Sequence, residues 1–124
     1  MKDDNNALNK AFGFAVRVVK LHQFLSKEHK EYVLSKQVLR SGTSIGANIN
    51  EAQAGQSKAD FIAKMSIASK EARETKYWIA LLCETNYLDQ NDHHVKTLLE
   101  QSEELIKILT SIVKTAQQNA KIKI

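Results

Sequence analysis

The sequence contains no proline and only four glycines among its 124 residues. Proline and glycine are the residues that most often interrupt helices and shape tight turns. Their scarcity therefore favours helices over sheets. A chain of this length has room for one hydrophobic core, so we expect a single domain over residues 1–124.

The chain also lacks paired cysteines, long apolar runs and an export signal. Cys83 is the single cysteine, so no disulfide can form within the chain and nothing indicates an oxidising compartment. No run of about 18 apolar residues is present, which excludes a transmembrane helix. Residues 1–6 are acidic and amide-rich instead of basic and then apolar. We expect a soluble, cytoplasmic protein with no membrane partner.

Apolar and small residues recur at spacings of three and four, the pattern of amphipathic helices. The pattern predicts helices over residues 5–27, 31–54, 57–85 and 91–118. The predicted core positions are Leu8, Ala11, Ala15, Val18, His22 and Leu25, broadened by Phe12 and Val19; Val38, Gly42, Ile45, Ile49 and Ala52; Phe61, Met65, Ala68, Ala72, Thr75, Ile79 and Leu82; and Val95, Leu98, Ser102, Leu105, Leu109, Ile112 and Ala116. Short connections force antiparallel neighbours, so the predicted fold is all-α, an antiparallel up-and-down four-helix bundle.

Two of the predicted helices begin at capping signals. Ser57 can accept hydrogen bonds from the free N–H groups of the third helix, and Asp60 lies favourably in its first turn. The polar residues 89–92 end the third helix and supply cap candidates for the fourth.

The second helix carries small residues on its core side. Gly42 and Gly46 each cost about 1 kcal/mol of helix propensity relative to alanine. They indicate either a break in the helix or a close contact with another helix. We favour the close contact, because Ser41, Ser44 and Ala47 extend the same small-residue surface.

A polar stripe lies beside that surface, about 100° around the helix from the core positions. Its members are Ser41, Ser44, Asn48 and Glu51, at spacings of three, four and three. Satisfied contacts to a neighbouring helix are the preferred interpretation, an interface between subunits is the second, and a catalytic or ligand site is the third. The predicted interface or packing residues are Ser41, Gly42, Ser44, Gly46, Asn48 and Glu51.

Paired carboxylates on the third helix are the first candidates for chemistry. Glu71 and Glu74 lie on one stripe with Trp78 and Leu81. A di-iron site in a bundle needs Glu-x-x-His motifs, and the sequence has none. Ion pairs within the helix, from Lys70, Arg73 and Lys76, are the preferred account of these carboxylates. An enzyme using them together with Glu51 is the least favoured class.

The remaining reactive residues do not form a recognisable site. His93 and His94 are adjacent and point in different directions, whereas His22 and His29 are seven residues apart. Cys83 follows three apolar residues and is typical of a small core residue. No glycine-rich segment ends in the Gly-Lys-Ser/Thr of a phosphate-binding loop. We predict no catalytic residue, no metal and no cofactor.

A mild excess of basic residues permits an acidic partner. Eighteen Lys and Arg residues against 14 Asp and Glu give a net charge of +4 and a pI near 9.2. Bases are spread over the first three helices, Lys27 and Lys36 among them, whereas the fourth is acidic at Glu100, Glu103 and Glu104. A basic face would attract phosphates without reading sequence. The predicted nucleic-acid-binding residues are Lys10, Arg17, Lys20, Arg40, Lys64, Lys70, Arg73 and Lys76.

Residues 39–52, 57–61 and 71–78 together resemble a known family. Its strongest part here is Ser-Ile-x-x-Asn-Ile-x-Glu over residues 44–51. The chain resembles the four helix bundle protein family, also called intervening-sequence or S23 proteins, some of which are encoded in insertions within bacterial 23S ribosomal RNA genes. Many members have Ala-Glu-Gly where this chain has Asn50-Glu51-Ala52, so the chain resembles a variant subgroup.

The resemblance implies an up-and-down bundle that assembles as a ring-like homopentamer. It also implies kinship with the accessory variability protein of diversity-generating retroelements, a basic pentamer that binds nucleic acid and a reverse transcriptase. Our leading hypothesis is a non-enzymatic oligomer that binds the backbone of RNA or DNA. The alternative is a scaffold that binds a protein, such as a reverse transcriptase-like partner, with no direct role for nucleic acid.

Overall fold

Four α-helices make up the protein in a computed structural model, which describes residues 2–122 and the side chains of residues 6–121. They are α1 (Lys2–His29), α2 (Val33–Gln53), α3 (Lys58–Glu84) and α4 (His93–Ile122). Each helix packs against the next along the chain and α4 closes against α1, whereas the diagonal pairs, α1 with α3 and α2 with α4, stay more than 8 Å apart at their Cα atoms. Residues 2–122 contain no strand. The predicted all-α four-helix bundle is confirmed.

The helix ends follow local hydrogen bonds. Ser57 Oγ accepts the Asp60 N–H at 3.1 Å, which is the predicted cap of α3. Asp92 Oδ1 accepts the N–H groups of His94 at 2.9 Å and Val95 at 3.4 Å, and so caps α4. After α1 the chain turns at Lys30 with a φ of 53°. Both α1 and α4 are longer than predicted, and α4 continues past residue 118 through Ile122.

The core lies where the predicted positions of α2, α3 and α4 converge. All five predicted positions of α2 are buried, as are all those of α3 except the half-buried Phe61. On α4 the first five are buried, whereas Ile112 and Ala116 near its end are half-buried. The largest fully buried side chains of these three helices are Ile45, Ile49, Met65, Ile79, Leu82, Leu105 and Leu109. Periodicity therefore identified the core faces of these helices.

The predicted core positions of α1 were partly wrong. The buried positions are Ala7, Ala11, Phe14, Val18, Leu21 and Leu25. Phe12 is 69% exposed and Val19 is 37% exposed, so neither broadens the core as predicted. Leu8, Ala15 and His22 are only half-buried, because α1 carries a second apolar stripe that faces away from the core.

The two interior glycines of α2 let α1 approach closely. A Cβ atom built at Gly42 would lie 2.7 and 2.8 Å from the two γ-carbons of Val18. At Gly46 it would lie 3.6 Å from the Cβ of Ala11, an ordinary contact. The helix is unbroken through both positions. The close contact predicted from these glycines is confirmed, and it is tightest at Gly42.

Candidate nucleic-acid interface

The polar stripe of α2 lies along its boundary with α3. The hydroxyl oxygen of Ser41 is fully buried and lies 2.8 Å from that of Thr75 on α3. Ser44 Oγ donates to the Arg40 carbonyl at 2.6 Å, and the Asn48 amide donates to the Ser44 carbonyl at 2.8 Å. Ser44 and Asn48 are thus satisfied within α2, whereas Ser41, like Glu51 with its partner Lys64, contacts α3 as the preferred interpretation predicted. The role of the stripe between subunits stays a prediction.

A buried carboxylate on α3 takes its countercharge from α2. Arg40 Nη1 lies 3.2 Å from Glu71 Oε2, and Arg40 Nη2 pairs with Glu74 Oε1. The side chain of Glu71 is only 7% exposed. Trp78 Nε1 also donates to Glu74 Oε1, at 3.3 Å. These carboxylates are therefore held as a structural tie between α2 and α3.

The ion pairs predicted within α3 were wrong. Arg73 donates to Thr110 Oγ1 at 3.0 Å and Lys76 pairs with Glu103, both on α4. Lys70 is exposed and makes no ion pair with any described residue. Arg73 and Lys76 are thus directed to α4, whereas Glu71 and Glu74 take their countercharge from Arg40 of α2.

Half of the predicted nucleic-acid-binding residues are paired with carboxylates of another helix. Besides Arg40, these are Lys10 with Glu104 at 3.3 Å, Lys64 with Glu51 at 3.5 Å, and Lys76 with Glu103. The hydrogen bond and charge of Lys76 lower the pKa of Glu103. Glu103 and Glu104 of α4 thus meet basic side chains of α3 and α1, and these cations are partly compensated.

Arg17 on α1 is held differently, by neutral acceptors on α4. Its Nη1 donates to Gln101 Oε1 at 2.7 Å. Its Nη2 donates to the His94 carbonyl and to Thr97 Oγ1, each at 2.9 Å. These contacts position the guanidinium without a carboxylate partner, so its positive charge remains available to an outside anion.

Two further basic residues follow Arg17 along α1. Lys20 and Lys27 are exposed, and neither makes an ion pair within the described part of the chain. With Phe24 between them, the four side chains follow at spacings of three, four and three, which places them on one helix face. We call Arg17, Lys20 and Lys27 the α1 basic stripe, and Phe24 lies on the same face between Lys20 and Lys27. Sequence reasoning did not select Phe24, although the spacing contains it.

No group of three or more His, Cys, Asp or Glu side chains within the described residues is arranged to hold a metal ion. Cys83 is half-buried on α3. Burial raises the pKa of its thiol, and the negative charges of Asp89 and Glu84 raise it further. A raised pKa keeps a thiol protonated, which is the opposite of what a nucleophilic cysteine needs.

Known proteins are similar to this chain over most of its length. Residues 3–111 match the family model described as 23S rRNA-intervening sequence protein. The chain belongs to this family. A solved structure from Bacteroides thetaiotaomicron, described as a protein with unknown function from the S23 ribosomal protein family, is 52% identical in sequence. The match has a TM-score of 0.85 and covers 90% of this chain and 98% of that chain.

A comparison of the sequence with curated proteins found no match. Within residues 2–122, no helix combines the length and hydrophobicity needed to cross a membrane. The family resemblance stated from residues 39–78 is thus confirmed by a match over most of the chain.

Proposed function

We propose that this intervening-sequence family member is a non-enzymatic, cytoplasmic protein that binds the phosphate backbone of RNA or DNA through the α1 basic stripe. The observation that carries the proposal is the environment of Arg17, whose guanidinium is fixed by three neutral acceptors. A cation held in place by neutral acceptors, with no carboxylate of the described residues in ion-pair contact, is suited to a phosphate oxygen, to which guanidinium groups bind strongly.

The spacing of the stripe supports the same role. Lys20 and Lys27 extend the charge of Arg17 along one helix face. Cations that are already paired with carboxylates, such as Lys10, contribute less to the field that a polyanion meets. Contacts of this kind give affinity without sequence specificity, because the phosphate backbone is the same at every step.

Self-association would strengthen the field of this stripe. Phe12, Val16 and Val19 are exposed on α1 at spacings of four and three, and we call them the α1 apolar patch. We propose that copies of the chain associate through it, as the homopentamer implied by the family resemblance. Five copies at +4 each would carry about +20 in total.

The test is binding to a mixed single-stranded RNA over a range of salt concentrations. For wild type we expect the logarithm of the binding constant to fall linearly with the logarithm of salt concentration. Lys20→Gln with Lys27→Gln should reduce that slope by about 0.7 for each phosphate that the variant no longer neutralises. Lys10→Gln with Lys64→Gln removes the same charge from paired positions and should change the slope less.

Two outcomes would contradict the proposal. Equal slopes in the two double variants would show that the α1 basic stripe does not bind the phosphates. Indifference to RNA at low salt would reject nucleic-acid binding altogether.

A protein scaffold is the second candidate function, and the α1 apolar patch is the observation that favours it. Exposed apolar side chains grouped on one face are typical of protein interfaces. The partner would be a polypeptide such as a reverse transcriptase-like protein. A largely apolar interface should weaken little with rising salt, whereas phosphate binding should weaken steeply.

A further inference from the structure

A cleft of about 510 Å³ opens beside the α1 basic stripe, between α1, the start of α4 and the loop that precedes α4. Its floor is made by buried or nearly buried apolar side chains, which are Leu21, Leu88, Val95 and Leu98. Clefts of this size with an apolar floor and a few polar groups are the usual form of small-molecule sites. It is large enough for a nucleobase together with its sugar.

Two aromatic rings stand at the cleft. Phe24 is 46% exposed although it is large and apolar, and Tyr87 from the loop is half-buried. His29 packs edge-on between them, with centroids 5.3 Å from Phe24 and 6.0 Å from Tyr87. The rings are thereby braced against one another. Exposed, braced rings of this kind serve as stacking platforms for bases.

The rim of the cleft supplies charges of both signs. Arg17 and Lys20 line it, and neither is paired with a carboxylate of the described residues. Asp89 and Asp92 also line it, and each uses Oδ1 to accept backbone N–H groups of its own turn. No described hydrogen bond or ion pair occupies Oδ2 of either carboxylate. The rim can therefore meet an anion and also accept from an amino group.

We propose that this cleft binds one base of a single-stranded nucleic acid. The base lies against Phe24 and Tyr87, its exocyclic amino group donates to Asp89, and its phosphate contacts Arg17 and Lys20. A nucleotide carries both an anionic phosphate and a base with donor groups, which match the charges of both signs at this rim, whereas a purely apolar occupant would match neither. The inference rests on the proposed function, and it adds that bases contribute to binding as well as phosphates.

The experiment compares two DNA single strands of equal length, one of deoxycytidine and one abasic, which carry the same number of phosphates. Wild type should bind the deoxycytidine strand at least about fivefold more tightly, the lower range of a base–aromatic stack. Phe24→Ala should abolish that preference and leave binding of the abasic strand and its salt slope unchanged. Because Phe24 is half-exposed, the variant should fold, and circular dichroism checks this.

Tyr77→Ala is the matched control, because Tyr77 is 60% exposed on α3, away from the cleft. It should keep the preference for the deoxycytidine strand. Equal, salt-dependent binding of both strands by wild type would overturn the base site and leave the proposed function standing. Binding to neither strand would overturn both. Loss of the preference in Tyr77→Ala, or equal weakening of both strands by Phe24→Ala, would also overturn the base site.

Discussion

Single residues decide how closely α1 and α2 approach, and Gly42 is the clearest case. Alanine in its place is a better helix former by about 1 kcal/mol, but the added methyl group would overlap both γ-carbons of Val18. Val18 is fully buried and cannot move aside freely. Overpacking of this kind costs about 1–3 kcal/mol. We expect Gly42→Ala to lower the free energy of unfolding measured in urea.

Gly13 provides the control for this substitution on the same pair of helices. A Cβ atom at Gly13 has no other atom within 4 Å. Gly13→Ala should therefore raise the free energy of unfolding by about 0.5–1 kcal/mol. Stabilisation by both substitutions would show that the Val18–Gly42 contact is not tight.

Arg40 is the second position where one side chain has a large effect. Arg40→Gln would leave the buried carboxylate of Glu71 without its cation, and an unsatisfied buried group of this kind costs about 1–3 kcal/mol. Lys10→Gln breaks a more exposed pair and should cost no more than about 1 kcal/mol. Urea denaturation of both variants tests the difference.

A double-variant cycle makes the Arg40 prediction specific. In a Glu71→Gln background, Arg40→Gln should cost less than it does in wild type, because no buried charge is left behind. Equal costs in the two backgrounds would show that the Arg40–Glu71 pair contributes nothing of its own.

At the scale of helices, the start of α3 depends on one cap. Ser57→Ala should lower the free energy of unfolding by about 1 kcal/mol, because the Asp60 N–H loses its acceptor. Ser57→Gly should cost less. Ser66→Ala, on the exposed face of the same helix, is the control and should change stability little. Thermal unfolding of the three variants checks the order.

Helix periodicity predicted most of the fold, and it failed where one helix carries two apolar stripes. On α1, Phe12 and Phe14 both belong to stripes with helical spacing, yet Phe12 is exposed and Phe14 is buried. The helical period of apolar residues defines a face of the helix, but it does not show whether that face packs in the core or is exposed. On α2, the two glycines showed which face packs against another helix, because small residues in a helix indicate a close helix contact.

The contacts of the charged residues could not be predicted from spacing along one helix. Arg40 and Glu71 are 31 residues apart in sequence and meet only when α2 and α3 pack. The rule for ion pairs within a helix led to Lys70, Arg73 and Lys76 instead. The sequence therefore identified the basic residues of the candidate interface. Which of them are free of ion pairs depends on how the helices pack.

For the whole molecule, the α1 apolar patch leads to a prediction about assembly. Phe12→Ser combined with Val16→Ser should reduce the mass measured by light scattering toward that of one chain, because exposed apolar area drives association. Helical content should not change, since both residues are exposed. Tyr77→Ser, exposed on another helix, should keep the wild-type mass. An unchanged mass in the double variant would exclude the patch as the contact between copies.

The protonated thiol of Cys83 allows local opening of the bundle to be measured by chemical labelling. In the folded state a thiol reagent at neutral pH finds little thiolate, because burial and two nearby carboxylates raise the pKa. Opening of the end of α3 restores the ordinary pKa of the thiol, so the rate of labelling reports how often α3 opens around the one thiol of the chain. The protonated form also favours the fold, and that contribution disappears as the pH rises through the raised pKa. Raising the pH should therefore increase the labelling rate in two ways. It increases the fraction of thiolate, and it lowers the stability of the helix that shields the thiol.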